Sequence, residues 1–201
     1  MIFVIDTSSA RSALALVRPD GTVVAEETHE SGRTFDLPAR FRAMTADYVL
    51  TRIAVATGPG SFTGLRVGVS FGLGVAIGLS VPIVTLKTLE IQAARSERPV
   101  TALAEAGRGR VYSLAPGSEP QLTGAEELPR ELPAVGWLRP ATESLLRAAG
   151  VDLVPETGLR SFGEAASLLL ESASEVAYGS LRLEYMQALG SAFARHRWTR
   201  T

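Results

Sequence analysis

Hydrophobic and polar positions in the first part of the chain form short segments that are typical of strands. Residues 2–5 are continuously apolar, and residues 12–17 and 22–27 lie on either side of a turn at Pro19-Asp20-Gly21. Because so short a turn joins neighbouring strands of opposite direction, the pattern predicts an antiparallel meander.

Helical spacing first appears in residues 34–48, with Phe35, Leu37, Phe41, Met44 and Tyr48 on one side and Pro38 in the first turn. Strand and helix patterns then alternate over residues 52–57, 63–79, 81–86 and 87–95. This β-α-β alternation predicts parallel pairing of the two strands.

The pattern changes near residues 97–99, and we place a lobe boundary there. Two strands joined by a glycine turn, one further strand and two helices are predicted beyond it: residues 100–105, 110–115, 134–138, 142–149 and 161–174. We therefore expect an N-terminal lobe of residues 1–98 and a smaller lobe of residues 99–201, whose last helix packs back on the first lobe.

Residues 67–84 carry no charge and reach the length of a membrane helix, about 18 residues. Four glycines dilute the hydrophobicity of this segment, and Pro82 lies among β-branched residues that favour a strand. We therefore interpret the segment as a core helix, a turn and a buried strand, and expect no membrane association.

Composition narrows the possible functions. With 46% hydrophobic and 20% charged residues the chain is typical of globular proteins, and its net charge of −1 provides no overall basic field for nucleic acid. The absence of cysteine excludes disulfides and a thiol nucleophile. Residues 1–5 are too short for a secretory signal and run straight into Asp6, so we expect a cytoplasmic protein.

The most specific motif is the segment from Gly58 to Arg66, GPGSFTGLR, between a predicted strand and a predicted helix. Glycines allow close backbone approach, and a helix N-terminus attracts anions, so Gly58, Gly60, Ser61 and Thr63 are candidate nucleotide-binding residues. The loop is neither a Walker A loop nor a dinucleotide fingerprint. The alternative is a plain helix start with Ser61 or Thr63 as the N-cap.

Asp6, Thr7 and Ser8 end the first predicted strand, where a carboxylate and two hydroxyls could face a metal-bound nucleotide. In the alternative interpretation, Asp6 accepts hydrogen bonds from its own backbone in a turn that leads into the hairpin.

Residues for hydrolysis are few. The two histidines, His29 and His196, lack the spacing of helical metal ligands, and neither Ser61 nor Ser70 has a recognisable base. We therefore predict no catalytic residue, no metal site and no cofactor, and the lack of metal ligands also argues against a metallopeptidase.

Glycines recur every fourth residue on the predicted helix 63–79, at Gly64, Gly68 and Gly72. Each costs about 1 kcal/mol of helix propensity relative to alanine, so a close packing contact should offset them. That contact is either with the chain's own sheet or with a second subunit. The predicted interface comprises the following residues: Phe41, Gly64, Leu65, Gly68, Val69, Gly72 and Leu73.

The last residues, from Arg195 to Arg200, combine basic and aromatic side chains as an RNA contact would. A solvated terminus has the same composition.

Three features together resemble the TsaB (YeaZ-type) family: the strand FVIDTS at residues 3–8, the hairpin strand at residues 13–17 and, above all, the glycine motif at residues 58–68. The similarity covers residues 1–95. It implies an α/β fold of the actin, Hsp70 and sugar-kinase (ASKHA) type, with two lobes of mixed sheets flanked by helices.

The resemblance also implies a function. Proteins of this family are regarded as inactive relatives of the catalytic subunit TsaD, with which they dimerise through two N-lobe helices. With the ATPase TsaE, the pair forms threonylcarbamoyladenosine at position 37 of tRNA. The resemblance thus implies a non-catalytic subunit that activates TsaD, forms a homodimer when alone and meets tRNA only through the complex. The alternative is a nucleotide-dependent phosphotransferase or ATPase of the same superfamily.

Overall fold

The computed structural model describes residues 1–31 and 35–184. The basic tail at residues 195–200 lies outside these residues. The strands are β1 (Ile2–Asp6), β2 (Arg11–Val17), β3 (Val23–Glu30), β4 (Arg52–Ala56), β5 (Ile83–Leu86), β6 (Thr101–Gly107), β7 (Arg110–Leu114), β8 (Gln121–Gly124), β9 (Ala134–Trp137) and β10 (Glu175–Val176). The helices are α1 (Leu37–Thr45), α2 (Phe62–Leu79), α3 (Thr88–Ala94), α4 (Pro140–Ala148) and α5 (Phe162–Leu170).

The strands form two mixed sheets. The first has the order β10-β5-β4-β1-β2-β3, in which β1, β2 and β3 are antiparallel neighbours and β4 is parallel to both β1 and β5. The second has the order β8-β7-β6-β9, with β6 parallel to β9. The predicted meander and the predicted parallel pairing are confirmed.

The two sheets and the helices form five layers. One face of the first sheet packs against α1 and α2, and its other face packs against α5, which lies beside α3. The second sheet packs on α3 with one face and on α4 with the other. Because α5 and β10 both join the first sheet, the chain returns to this sheet after it has built the second.

Several predicted boundaries were wrong. Helix α1 is shorter than the predicted 34–48, because Asp36 caps it and Pro38 stands in its first turn. Strand β3 runs to Glu30, three residues beyond the prediction, since its register with β2 continues to Arg11. Helix α5 ends at Leu170 rather than residue 174. Strands β8 and β10 were not predicted, because each is short and lies at a sheet edge.

The glycine stripe of α2 faces the chain's own sheet. A Cβ atom on Gly64 would overlap the carbonyl oxygen of Thr7, and one on Gly72 would overlap the side chain of Val55. Gly68 faces Thr7 Oγ1 in the same way. The glycines therefore let the α2 backbone lie directly on β1 and β4, which recovers in packing what they cost in helix propensity.

This packing corrects the predicted interface. Leu65 is 1% exposed and Val69 is 6% exposed, and both are buried by their own subunit, as are Gly68 and Gly72. The remaining two predicted side chains, Phe41 and Leu73, are partly buried against the same core. Phe41 is held there edge-to-face between Phe3 and Phe71, at ring-centroid distances of 5.1 and 5.5 Å. These residues therefore line the inner side of the helix pair. The sequence analysis placed them at an interface because periodicity alone does not say which apolar face meets the sheet.

Substitution of single glycines in α2 tests this packing. We expect Gly64→Ala to lower the free energy of unfolding by about 2 kcal/mol, because the new methyl group must displace a backbone carbonyl. The matched control is Gly74→Ala, whose Cβ meets nothing within 4 Å. It should raise stability by about 1 kcal/mol through helix propensity. Urea unfolding measures both; equal effects of the two substitutions would contradict the packing.

Candidate functional site

The carboxyl ends of three neighbouring strands lie side by side in the first sheet, and we call this row of strand ends the carboxyl edge. Asp6 ends β1, Gly58 follows β4 and Thr88 follows β5. The Thr88 N–H donates to the Gly58 carbonyl (2.9 Å), and the Thr88 and Ser8 hydroxyls are 2.8 Å apart. The structure thus brings together the two segments that the sequence singled out, residues 6–8 and 58–64.

Asp6 lies at the centre of this edge and is fully buried. Its Oδ1 accepts hydrogen bonds from the backbone N–H and the hydroxyl of Ser8, at 2.7 and 2.5 Å. Within the described part of the chain, Oδ2 has no hydrogen-bond partner. Burial is the largest influence and raises the pKa of Asp6, while the two Ser8 hydrogen bonds lower it. The alternative prediction, in which Asp6 binds the turn backbone, is confirmed.

The glycine loop packs on the backbone that follows β1. A Cβ on Gly60 would overlap the Ser8 carbonyl, whose oxygen accepts the Ser61 N–H at 2.6 Å. Ser61 caps α2, since its hydroxyl accepts the Gly64 N–H at 3.3 Å. Ser61 as N-cap is therefore confirmed, and the loop's N–H groups at 61 and 64 have partners within the protein. Thr63 is exposed in the first turn of α2.

The hydroxyl of Thr7 completes the contact between the two segments. Thr7 Oγ1 donates to the carbonyl of Gly64 at 2.7 Å, and the Thr7 side chain is 6% exposed. Of the six predicted nucleotide-binding residues, Asp6 and Thr7 are therefore engaged in packing and hydrogen bonds inside the fold. Nucleotide binding by this set stays a prediction.

A cavity of about 370 Å³ lies beside the loop, between the two sheets. Pro59 and Lys87 line it from the first sheet, and residues 114–120 line it from the second. Lys87, the chain's single lysine, is 3.6 Å from Glu90. Burial raises the pKa of Glu184 at the cavity wall, whereas Lys87 lowers it. Because carboxylates as well as cationic side chains line the cavity, it has no net positive charge that would attract a polyanion.

The sequence analysis did not predict that Thr88, Lys87 and Glu184 lie at this carboxyl edge. Thr88 and Lys87 directly follow β5, and the rule that carboxyl ends of parallel strands share one edge could have found them. Glu184 had no such pattern, because its position depends on the chain returning to the first sheet. The N–H of Glu184 donates to the Thr57 carbonyl at 2.9 Å.

The outward side of α2 is a second candidate site. Its large apolar side chains Phe62, Val67, Ile77 and Leu79 are 50%, 49%, 52% and 50% exposed. We call these four residues the outer face. Among residues 1–31 and 35–184, α2 is the one helix long and apolar enough to cross a bilayer by length and composition, and 28% of it is buried by the rest of the protein. The outer face is thus apolar surface that the described residues leave half-exposed, with the Arg66 guanidinium over the Phe62 ring at 3.7 Å.

Within residues 1–31 and 35–184, no group of three or more histidine or carboxylate side chains is placed to hold a metal ion. The buried Asp6 carboxyl has hydroxyl neighbours rather than a second carboxylate.

The sequence of the chain is similar to one family model and to two curated proteins. The family model of TsaD, tRNA N6-adenosine threonylcarbamoyltransferase, matches residues 43–126. The tRNA threonylcarbamoyladenosine biosynthesis protein TsaB of Bacillus subtilis (strain 168) is 36% identical over 124 residues, 56% of this chain and 53% of that protein. TsaB of Escherichia coli (strain K12) is 32% identical over 125 residues, 55% of this chain and 52% of that protein. The chain therefore matches about half the length of these curated relatives.

Solved structures match over a larger part of the chain. YeaZ from Pseudomonas aeruginosa has a TM-score of 0.68 at 19% identity and covers 92% of this chain and 99% of its own. An uncharacterized protein described as similar to peptidase YeaZ from Pseudomonas aeruginosa has a TM-score of 0.61 at 18% identity, with the same two coverages. At these identities the two structures show the fold alone.

The mixed sheets with flanking helices and these structural matches define an α/β protein of the ASKHA-like fold class, as predicted. The sequence matches go one step further. They confirm that the chain resembles the TsaB (YeaZ-type) family.

The buried carboxyl makes stability depend on pH. Because the pKa of Asp6 is raised in the folded protein, its protonated form stabilises the fold fully below the unfolded pKa of about 3.9. That contribution is lost as the pH rises through the folded pKa. We expect the stability of the wild type relative to Asp6→Asn to fall as the pH is raised from about 4 toward neutrality.

Urea unfolding at a series of pH values measures this difference. Asp20→Asn is the control, because Asp20 is exposed and its pKa is lowered by the Thr22 N–H. Its contribution is present above the unfolded pKa and lost as the pH falls, so the control should show the opposite slope. Parallel pH curves for the wild type and Asp6→Asn would contradict the assigned direction.

Proposed function

We propose that this chain is a non-catalytic subunit in the biosynthesis of tRNA threonylcarbamoyladenosine, which dimerises with a TsaD-type catalytic subunit and activates it. Support for the pathway comes from the matched TsaB proteins, which are named for it. The observation that carries the subunit role is the outer face of α2. A helix whose inner side is packed so closely on its own sheet nevertheless presents four large, half-exposed apolar side chains.

Burial of the outer face against a partner would lower the free energy of the protein. Fully burying a large apolar side chain is worth about 1.5–3 kcal/mol, so the half that remains exposed on each of the four is worth about 1 kcal/mol. Tyr48 and Val49, which follow α1, add further exposed apolar area at 42% and 80%. A stable interface needs about 1,000 Å² of total buried area, for which α2 and the end of α1 form the starting surface.

The relation to TsaD suggests the form of the complex. The TsaD family model matches residues 43–126, which include all of α2, so a TsaD-type partner would carry a related helix. Related subunits associate readily through equivalent faces. The same face would support a homodimer when the chain is alone, in competition with the heterodimer. A TsaE-type ATPase and tRNA would join the larger complex, with tRNA held through the complex.

A charge placed on the outer face tests the docking surface. Val67→Glu should weaken association with the TsaD-type subunit by about 100-fold, because burial of an unpaired carboxylate costs about 3 kcal/mol. The matched control is Leu168→Glu on α5, since Leu168 is 48% exposed against 49% for Val67. Isothermal titration calorimetry with each folded variant measures the affinity. If Val67→Glu binds as tightly as Leu168→Glu, the docking surface is not the outer face of α2.

Reconstituted modification of tRNA tests the activating role. The TsaD-type subunit should form threonylcarbamoyladenosine faster with this chain than without it, and the gain should be lost with Val67→Glu but kept with Leu168→Glu. Full modification in the absence of this chain would contradict the proposal.

The alternative function, a nucleotide-dependent phosphotransferase or ATPase, has less support from the site. Thr7 and Ser8, which follow Asp6, pack on the glycine loop, and the loop N–H groups at 61 and 64 are paired inside the fold. Tight binding and hydrolysis of Mg·ATP by the purified chain alone would favour this alternative over the subunit role.

A further inference from the structure

Within residues 1–31 and 35–184, the chain passes twice between the two sheets, and the two passages lie side by side. The first, at residues 95–100, leads from α3 into β6. The second, at residues 154–161, leads back to α5, which packs on the first sheet. Any change in the angle between the sheets must bend both passages.

Arg95 joins the two passages from the end of α3. Its side chain is 3% exposed. Its guanidinium forms a two-point ion pair with Glu156 and donates from Nε to the Arg160 carbonyl at 3.3 Å. It also donates to Gln92 Oε1 at 3.2 Å and lies 4.8 Å from the ring centroid of Trp137 on β9. One buried side chain thus contacts its own helix, the second passage and the second sheet.

Arg160 makes the return connection. Its backbone N–H donates to the Arg95 carbonyl at 2.7 Å. Its Nη1 donates to the carbonyls of Ala94 and Ser96 at 3.1 and 3.3 Å, and its Nη2 donates to Glu97 Oε1 at 3.2 Å. The second passage therefore binds two backbone carbonyls of the first passage and the carbonyl of Ala94 at the end of α3.

The first sheet is attached to the same cluster. Arg11, on β2, lies 3.5 Å from Glu156 Oε2, the oxygen that also receives Arg95. We call Arg11, Arg95, Glu156 and Arg160, with Trp137, the junction clamp. Charged hydrogen bonds link the two passages to each other, the Arg11–Glu156 ion pair links them to the first sheet, and the cation–π contact of Arg95 with Trp137 links them to the second.

Hinge motion requires a few connecting residues to change their backbone angles freely. Here the two connections are bonded to each other, and opening them would leave the buried Arg95 guanidinium without its partners. Loss of a partner from a buried ion pair is costly, which opposes independent bending. We propose that the junction clamp holds the two sheets at a fixed angle, so that the chain moves as one rigid body.

Pulsed electron paramagnetic resonance on the full chain tests this directly. Because the chain has no cysteine, Ala43→Cys on α1 and Ser144→Cys on α4 place one spin label on each outer layer without background labelling. Both positions are exposed. Labelled protein is diluted with unlabelled protein, so that only distances within one chain are measured.

We expect a single narrow distance distribution in this doubly labelled chain. Arg95→Met keeps the aliphatic stem but removes the guanidinium, and it should broaden or shift the distribution. Glu156→Gln is the milder variant, because Glu156 is half-exposed, and it should act in the same direction. Arg147→Met is the matched control, since it removes an arginine paired with Glu143 on α4, away from the junction. It should leave the distribution unchanged.

Two results would overturn the proposal. The first is a distance distribution that is already as broad with the intact junction clamp as it is in Arg95→Met. The second is a narrow, unshifted distribution in folded Arg95→Met and Glu156→Gln. If Arg95→Met does not fold, the test is the comparison of the distance distribution in Glu156→Gln with that in the chain whose junction clamp is intact.

Discussion

The contact of the α2 backbone with the ends of β1 and β4 is the constraint on which the rest of this structure depends. Glycines at 64, 68 and 72 allow it, because any side chain there would overlap the first strand or Val55. The close approach orients the helix, so Leu65 and Val69 point inward and the outer face points away from the protein. A helix that is apolar on nearly all sides thereby acquires one buried side and one side that the fold leaves half-exposed.

The same contact accounts for the chemistry at the edge of the sheet. With α2 seated on β1, the glycine loop lies on Ser8, and Asp6 is enclosed with one oxygen satisfied by that serine. A carboxyl group in such surroundings is more easily kept neutral than one that faces solvent, which suits a structural role better than a metal-binding one. The glycines and the Ser61 hydroxyl that predict a phosphate site also serve close packing and helix capping in this chain.

Prediction from the sequence worked best where local pattern and tertiary contact agree. Strands β1 and β2 and helix α2 were predicted within one or two residues, because each has a clear period and a turn or cap at its end. Strand β8 and strand β10 were missed, since four and two residues at a sheet edge carry too little pattern. The site shows the same difference. Asp6 and Gly58 were found by motif, whereas Glu184 reaches Thr57, beside Gly58, only through the returning chain.

Local sequence determined the order of the elements, the parallel pairing of β4 with β5, the capping of α2 by Ser61 and the glycine spacing that requires a close neighbour. Each of these depends on residues a few positions apart. Only the tertiary structure decided that the neighbour is the chain's own sheet, that Phe62, Val67, Ile77 and Leu79 are the outward residues, and that Arg95 meets Glu156 and Arg160. These contacts join residues up to 65 positions apart, and a short-range pattern does not indicate which distant segments meet.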